Sequence, residues 1–239
     1  MARVLLTSGR AFHLGGYVGA HLVAFLELTK PRITQLVLLT AAAGFYLGSR
    51  GGVDIRLLVQ TLIGVALVAA GTNAFNQVRP RKRKTTFNTL IEAVPGALPI
   101  VGGWTAAGGA IGPAVAALFG ILFLWQLPHF LALAWIYRED YRRGGLAMLS
   151  VADADGRRTG RMVLLYAMAL LPVSLLPTLL GVTGAWYFFG ALTLGLAYTG
   201  VSVAMTRAVT TARAWRVFLL SILYLPALLT LLVVDKIAL

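Results

Sequence analysis

The sequence contains no cysteine, and only 8 of its 239 residues are acidic. The lack of cysteine excludes disulfides, zinc–thiolate centres, iron–sulfur clusters and thiol nucleophiles. Charged residues make up only 12% of the chain and hydrophobic residues 59%, whereas a soluble domain is about a quarter charged. This composition predicts an all-α, polytopic transmembrane helical bundle.

Seven apolar runs have the length of about 20 residues that a helix needs to cross a bilayer. They lie at 33–49, 57–76, 90–111, 113–136, 162–181, 184–205 and 217–234. The run at 90–111 is the least regular, because two prolines, five glycines and Glu92 interrupt it. A broken helix of that kind is tolerated only against protein or a cavity. We expect one transmembrane domain over residues 31–239, after a cytoplasmic N-terminal segment at 1–30.

Basic residues set the expected topology and the expected partners. The chain has 21 Lys and Arg residues and a formal net charge of +13. If seven spans start from a cytoplasmic N-terminus, 18 of these residues face the cytoplasm, and only Arg50, Arg56 and Lys236 face the other side. Cytoplasmic loops carry such an excess, so we predict N-in, C-out. Basic residues in short loops favour a lipid bilayer and phosphate-bearing ligands, and we expect no nucleic acid because no basic soluble domain is present.

The first 30 residues leave the choice of membrane open. A secretory signal peptide fits poorly, because no clear small-residue cleavage site is present and another span follows at once. An arginine-bearing, nearly acid-free start is also typical of mitochondrial transit peptides. A bacterial cytoplasmic (cell inner) membrane is the first expectation, and the mitochondrial inner membrane is the alternative.

Two polar side chains, Gln126 and His129, lie inside the apolar span at 113–136. Polar groups are costly within hydrocarbon, so they mark a candidate functional site. Gln126 lies three residues before His129 and is a possible partner for it, and Pro128 frees a backbone carbonyl. His129 can be interpreted as a contact for a haem or another macrocycle, as a proton carrier, or as a structural side chain of the core.

The loop at 137–161 combines carboxylates with guanidinium groups. It includes Glu139, Asp140, Asp153, Asp155, Arg138, Arg142, Arg143, Arg157 and Arg158. Carboxylates suit Mg²⁺, which usually takes one or two of them together with substrate phosphates. Guanidinium groups hold a diphosphate and stabilise the charge that develops on it as a leaving group. The other interpretation is an ordinary solvated loop whose arginines only set topology.

An amide-rich face precedes a second basic cluster. Asn73, Asn76 and Gln77 are spaced so that they share one side of a helix, and the basic residues follow at 79–84. This arrangement is interpreted either as one wall of a phosphate site or as helix capping beside topology-setting charges.

Taken together, these residues resemble the UbiA-type intramembrane prenyltransferases, and in particular their haem-modifying branch. The matching segments are 28–32, 74–77, 88–91, 95–99, 103–104, 125–130, 137–145, 148–149, 172–174 and 224–226. The resemblance covers almost the whole chain from residue 26 onward, and the block at 125–145 is specific to the haem branch.

The resemblance implies a nine-span helical bundle and a mechanism. Farnesyl diphosphate would bind through Mg²⁺ held by two acidic motifs on opposite loops. Its ionisation would give an allylic cation, which a vinyl group of haem b captures with addition of water, so that haem O and diphosphate form. Association with haem A synthase or with terminal-oxidase assembly is a further implication.

Site residues carry over by position, as implications of the resemblance. Asp140 and Glu139 belong to the second acidic motif, and Asn76 is a remnant of the first; these three are the expected catalytic residues. The expected metal ligands are Asp140, Asp153 and Glu139. The expected substrate-binding residues are Lys82, Arg83, Arg138, Arg142, His129, Gln126, Lys30 and Arg32.

One departure from the family pattern affects the expected activity. After Gln77, the segment 78–84 with its basic cluster at 79–84 stands where the family carries its first acidic motif. The simplest account is an internal gap between Gln77 and Arg81, which removes that motif and two helices, at least ~60 residues by span length. Losing two spans preserves the parity of the topology.

Two other functions are kept as alternatives. The first is a catalytically inactive haem- or lipid-binding membrane protein derived from this family, because half of a two-motif site is missing. The second is a transporter, which is less favoured because the acidic residues cluster in loops and not near the membrane midplane.

Overall fold

The computed structural model describes residues 31–78, 88–145 and 148–237, with the backbone alone for residues 31–33, 73–78, 88–89 and 92. This part of the chain is helical and contains no strand; one isolated bridge joins Thr183 and Lys236. The helices are α1 (Pro31–Gly48), α2 (Ile55–Val78), α3 (Asn88–Ala106), α4 (Pro113–Ile136), α5 (Arg138–Arg143), α6 (Leu149–Ala152), α7 (Arg157–Leu179), α8 (Ala185–Arg207) and α9 (Thr211–Val234). The predicted all-α class is confirmed.

Each of the seven predicted spans overlaps one long helix. Five of these helices, α2, α4, α7, α8 and α9, are long and apolar enough to cross a membrane. The described apolar part of α1 is shorter, at Thr34–Gly48. A multi-pass membrane protein is thereby confirmed, while the number of seven spans, the N-in, C-out topology and the single domain at 31–239 stay predictions.

Helices α7 and α9 begin before their apolar runs. They start at Arg157 and Thr211, whereas the apolar runs start at 162 and 217. The first turns of both helices carry arginines, which an apolar pattern does not detect. In α9 the side chain of Thr210 caps the first turn by accepting a hydrogen bond from the backbone N–H of Arg213 at 3.3 Å.

The prolines of the third span do not break its helix, although the helix ends before Gly108 and Gly109. Helix α3 runs unbroken from Asn88 to Ala106 with Pro95 and Pro99 inside it. Each proline removes one backbone donor, but α3 packs against both α1 and α4, so its irregular side is held by protein. The Nε1–H of Trp104 donates to the carbonyl of Ala110 at 2.9 Å and folds the following loop back onto the end of the helix.

Helix α4 is the central element of the bundle. It packs against α3, α7 and α9, and over half of its most apolar segment is buried. Helix α2 is at the other extreme, because none of its apolar segment at Ile55–Thr72 is buried among the described residues. Side chains on α4 are therefore positioned by three neighbouring helices.

Glycines bring α1 and α3 into backbone contact. A Cβ atom added to Gly44 would overlap the backbone of Ile100, and one added to Gly48 would lie against the backbone of Trp104. From the other side, a Cβ atom on Gly103 would overlap the carbonyl of Ala41. Small residues of this kind let helices pack by dispersion where hydrocarbon provides no hydrophobic drive.

The segment after α9 fastens the end of the bundle away from the loop at 137–161. Lys236 Nζ donates to the carbonyls of Tyr46 at 2.6 Å and Ser49 at 2.8 Å, which satisfies acceptors at the end of α1. Asp235 Oδ2 accepts from the backbone N–H of Tyr187 at 2.7 Å, in the first turn of α8. Partial burial lowers the pKa of Lys236. Helices α1, α8 and α9 are thus joined at this end.

The contact between α1 and α3 predicts the effect of one methyl group. Gly44→Ala should lower the free energy of unfolding by about 1–3 kcal/mol, because the backbone of Ile100 cannot move aside cheaply. The matched control is Gly64→Ala on α2, where no atom lies within 4 Å of the added Cβ. That change should be neutral or stabilising by about 0.5–1 kcal/mol, since alanine is the better helix former. Detergent-solubilised protein titrated with dodecyl sulfate measures both, and equal effects would contradict the glycine contact.

Candidate functional site

Two side chains of α4 bind one residue of α9. Trp125 Nε1–H donates to the backbone carbonyl of Ser221 at 2.8 Å, and His129 Nδ1 lies 2.6 Å from Ser221 Oγ. Residues four apart share one side of a helix, so both side chains reach the same point of α9. These two hydrogen bonds fix α4 against α9 within the apolar part of the bundle.

The imidazole of His129 lies among aromatic rings. Its centroid is 5.2 Å from the stacked ring of Trp125 and 4.8 Å from that of Phe218, and the ring of Phe130 meets it edge-on at 5.4 Å. His129 is half-buried and faces α9. It lies seven residues before Ile136, the last residue of α4, which corresponds to about 10 Å along the helix axis.

Gln126 does not partner His129, contrary to the expectation from their spacing. Its amide is buried and donates through Nε2 to the carbonyl of Ala93 on α3 at 2.8 Å. The two side chains diverge because residues three apart differ by about 60° around a helix axis. Gly96 lies directly against the Gln126 amide, where a Cβ atom would overlap Oε1. The predicted role of Gln126 in substrate binding is not tested, but its described contact joins α3 to α4.

The acidic and basic residues of α5 pair with one another. Glu139 accepts two hydrogen bonds from Arg142, at 2.8 and 2.9 Å, and one from Arg143 at 3.2 Å. The hydrogen bond from Arg142 is the main cause that lowers the pKa of Glu139, although all three side chains are exposed. The guanidinium of Arg138 lies 4.5 Å over the ring of Trp135. A turn at Tyr137 separates α5 from α4.

Asp153 and Asp155 lie just before α7. Asp153 is buried, and its Oδ2 accepts from the backbone N–H of Thr159 at 2.7 Å. Asp155 is exposed and accepts from the backbone N–H of Arg157 at 3.1 Å, the main cause that lowers its pKa. Carboxylates at a helix N-terminus satisfy free backbone donors and oppose the helix dipole. Both residues therefore stabilise the entry into α7.

The expected metal ligands are not gathered into an ion site by the described residues. Within 31–78, 88–145 and 148–237, no group of three or more His, Asp or Glu residues could hold a metal ion. The oxygens of Glu139 are engaged by guanidinium groups, and Oδ2 of Asp153 is engaged by a backbone N–H. Asp140 is exposed in the first turn of α5. The metal assignment stays a prediction.

Several predicted residues fall outside what the structure describes. Lys30, Lys82 and Arg83 lie outside the described residues, and for Arg32 and Asn76 only the backbone is described. Arg32 lies in the first turn of α1, and Asn76 lies in the last turn of α2. Their roles in binding or catalysis stay predictions.

Arginines gather at the end of the bundle that carries α5. We call this set the arginine rim. It consists of Arg138, Arg142, Arg143, Arg157, Arg158, Arg161, Arg207, Arg213 and Arg216. Among the described residues, the opposite end carries Arg50, Arg56 and Lys236. Nearby guanidinium groups favour an anion such as a diphosphate at the rim.

Ser221 is the site residue that the sequence interpretation missed. It is buried in α9 and takes part in both hydrogen bonds with α4. The available signal was a hydroxyl inside the apolar run at 217–234, a polar interruption of the kind that drew attention to His129. Its pairing with α4 was not available from the pattern, because the two residues are 92 positions apart.

Comparisons with known proteins agree on one family. The model of the UbiA prenyltransferase family matches residues 79–225. The protoheme IX farnesyltransferase of Solibacter usitatus is 35% identical over 288 positions, which cover 89% of this chain and 98% of the relative. That of Salinibacter ruber is 36% identical over 276 positions, covering 88% and 98%. That of Myxococcus xanthus is 32% identical over 239 positions, covering 97% and 80%.

A solved structure supports the fold. The chain is similar to digeranylgeranylglyceryl phosphate synthase with a TM-score of 0.74 and 14% identity, over 91% of this chain and 99% of that one. At this identity the likeness shows the membrane prenyltransferase fold alone.

The relatives contain sequence that this chain lacks. In the alignment with Solibacter usitatus, 89% of 239 residues is about 213, so roughly 75 of the 288 positions have no counterpart here. The alignment with Myxococcus xanthus has 239 positions and no comparable internal gap, but it leaves out a fifth of that relative.

The assignment to a family rests on the share of the chain that is matched as well as on sequence identity. The family model matches more than half of the chain, and two relatives above 30% identity cover nearly nine tenths of it. The helical bundle and the solved prenyltransferase agree in fold. The chain belongs to the UbiA prenyltransferase family, in its protoheme IX farnesyltransferase branch.

Proposed function

We propose that this protein transfers a farnesyl group from farnesyl diphosphate to a vinyl group of protohaem IX (haem b), producing haem O and diphosphate. The observation that carries the proposal is the position of His129, half-buried among aromatic rings about 10 Å along α4 from the arginine rim. Aromatic rings favour contact with a flat apolar acceptor, and guanidinium groups favour contact with a diphosphate. The relatives bear the name of this enzyme.

The chemistry forms a C–C bond and a C–O bond at the vinyl group, and it consumes the vinyl π bond, the C–O bond to the diphosphate and one O–H bond of water. The C–O bond between the farnesyl group and the diphosphate breaks, and a vinyl carbon of the porphyrin forms the new C–C bond. Water then supplies a hydroxyl to the remaining vinyl carbon and releases a proton. Guanidinium groups of the rim stabilise negative charge on the departing diphosphate. The apolar helix faces deeper in the bundle keep other water from the cation.

The ion pairs of α5 do not prevent diphosphate binding. Glu139, Arg142 and Arg143 pair at exposed positions, where solvent screening leaves ion pairs weak. A bidentate contact from an arginine to a phosphate is stronger than such a pair. Arg142 can therefore exchange Glu139 for the substrate.

We include Mg²⁺ in the proposal because the chain belongs to the UbiA family. UbiA prenyltransferases generally use Mg²⁺ for departure of the diphosphate. An ion bound at the rim would neutralise charge on the leaving group. Mg²⁺ usually binds one or two carboxylates together with substrate phosphates. Asp140, with Glu139 or Asp153, would supply the carboxylates, and the described residues do not complete a site without the substrate.

The proposal places the missing sequence between Gln77 and Arg81. The motif at 28–32 lies before this point, and the family model begins to match at residue 79, directly beside it. The surplus of about 75 positions in the Solibacter usitatus alignment is close to the length of two spans with a loop. We therefore expect this chain to be less active than its longer relatives, because the first acidic motif would be absent.

A catalytically inactive haem- or lipid-binding protein is the second candidate. The missing first acidic motif favours it, whereas the names of the relatives favour the enzyme. The bacterial sources of those relatives support the cytoplasmic membrane over the mitochondrial inner membrane. Since the product would need a consumer in the same bilayer, haem A synthase or terminal-oxidase assembly is the proposed neighbour.

Asp140→Asn tests the acidic motif. The side chain of Asp140 has no hydrogen bond or ion pair among the described residues, so the change removes charge without disturbing a structural contact. Haem O formation from farnesyl diphosphate, haem b and Mg²⁺ should fall about 100-fold, as for loss of one charge-stabilising group. Asp54→Asn is the matched control, because Asp54 is an exposed carboxylate that only caps α2. Chromatography of extracted haem measures both variants.

Two results would weigh against this assignment. A variant at Asp140 that retains more than a third of the activity would exclude its role. Absence of haem O with the wild-type protein, under conditions where the Solibacter usitatus enzyme works, would support the inactive candidate.

Removal of the metal gives a second prediction. Addition of a chelator should stop haem O formation, because the diphosphate is a poor leaving group without its neutralising ion, and excess Mg²⁺ should restore it. Haem binding, followed by absorbance, should be unchanged by the chelator. Turnover that persists in chelator would contradict the role of Mg²⁺.

Restoring the missing segment tests its position. Inserting the roughly 75 residues of the Solibacter usitatus protein that lack a counterpart here between Gln77 and Arg81 should raise the rate of haem O formation. The expected increase is at least tenfold, since one recovered charge contact contributes more than 1.36 kcal/mol, the equivalent of that factor. The control is the same insertion with its acidic residues replaced by the corresponding amides. Equal rates for the two insertions would overturn the proposed position.

A further inference from the structure

The hydrogen bonds of Ser221 determine which nitrogen of His129 carries a proton. Ser221 Oγ lies 2.6 Å from the carbonyl of Phe218 and 2.6 Å from His129 Nδ1. A carbonyl can only accept, and a serine hydroxyl has one proton to donate. The hydroxyl proton therefore goes to Phe218, and Oγ accepts a hydrogen bond from Nδ1–H of His129.

This assignment leaves Nε2 of His129 with a free lone pair. An uncharged imidazole that carries its proton on Nδ1 presents Nε2 as the basic nitrogen. The ring is half-buried, and Nε2 has no hydrogen-bond partner among the described residues. A nitrogen ligand is thus available inside a bundle whose surroundings are mainly apolar.

The orientation of that lone pair is fixed from several sides. The rings of Trp125 and Phe218 both stack on the imidazole, with interplanar angles of 23° and 28°. Trp125 is itself held by its hydrogen bond to the carbonyl of Ser221. Rotation of the imidazole would break the bond to Ser221 Oγ and both stacking contacts. Ser221 therefore holds both Trp125 and His129 of α4.

We propose that Ser221 is a positioning residue that holds His129 so that Nε2 binds the iron of the acceptor porphyrin. Iron in a porphyrin takes an unprotonated imidazole nitrogen as axial ligand. A metal-bound histidine nearly always donates its other N–H to a fixed acceptor, which sets its tautomer and its orientation. Ser221 Oγ is that acceptor here. The inference rests on the proposed function, because it takes haem as the molecule that enters.

Binding of the iron by His129 would align the vinyl group of the porphyrin with the farnesyl diphosphate. An axial bond fixes the porphyrin at one point and limits its tilt against α4 and α9. A reactive vinyl group then has a defined position relative to the diphosphate at the arginine rim. Positioning of this kind lowers the barrier through orientation.

Titration with two porphyrins tests the inference in the full-length protein in lipid nanodiscs. Haem b carries iron, whereas protoporphyrin IX has the same ring without it. The wild-type protein should give the absorbance spectrum of nitrogen-ligated haem, and His129→Ala should lose it. Ser221→Ala should raise the dissociation constant for haem about 10- to 100-fold, the usual effect of losing the partner of a metal ligand. The dissociation constant for protoporphyrin IX should change less than threefold in both variants.

Two further variants separate positioning from folding. Ser221→Thr keeps a hydroxyl and should restore haem binding to within threefold of the wild-type protein. Ser202→Ala is the matched control, because Ser202 is also buried and bonds within its own helix, to the carbonyl of Tyr198 at 2.8 Å. This variant should leave both titrations unchanged.

The outcomes distinguish this inference from the proposed function. Equal weakening of haem and protoporphyrin IX by Ser221→Ala would overturn it and make Ser221 a packing residue only. A nitrogen-ligated spectrum that survives in His129→Ala would overturn it as well. Haem O production by a wild-type protein without that spectrum would overturn the inference alone, whereas the spectrum without haem O would leave it standing and count against the proposed activity.

Discussion

The structure depends on the cost of leaving a polar group unpaired in hydrocarbon, which amounts to several kcal/mol. Helical hydrogen bonds pair the backbone N–H and C=O groups, so only the polar side chains still need hydrogen-bond partners. The answer is repeated through the bundle: Gln126 donates to Ala93, Trp125 donates to Ser221, and the hydroxyl of Tyr187 donates to the carbonyl of Ser174 at 2.7 Å. Each of these bonds joins two helices, so the few polar side chains also define the packing.

Two kinds of helix contact result from this constraint. Helices α1 and α3 meet through glycines, where backbone touches backbone. Helix α4 is held mainly through polar and aromatic side chains, and its neighbours surround it. Helix α2 has neither kind of contact along its apolar segment, which remains unburied among the described residues. This fits the proposal that helices following α2 in the relatives have no counterpart in this chain.

The candidate site combines an adaptable part with a rigid part. At the arginine rim, exposed ion pairs such as that of Glu139 with Arg142 are weak and can exchange for a phosphate group. Within the bundle, His129 is held by Ser221 and by stacked rings, so its geometry is set before any ligand enters. An arrangement of this kind suits a substrate with a mobile anionic head and an acceptor that needs one orientation.

The sequence by itself determined the helical class, the location of the long helices and the polar position of His129, because apolar length and polar interruption are local properties of the chain. It did not determine that α3 continues through its prolines, that Gln126 turns away from His129, or that Asp153 accepts a hydrogen bond from the first turn of α7. It also did not identify Ser221. These features depend on contacts between helices far apart in the chain, and only the packed bundle brings such residues within hydrogen-bonding distance.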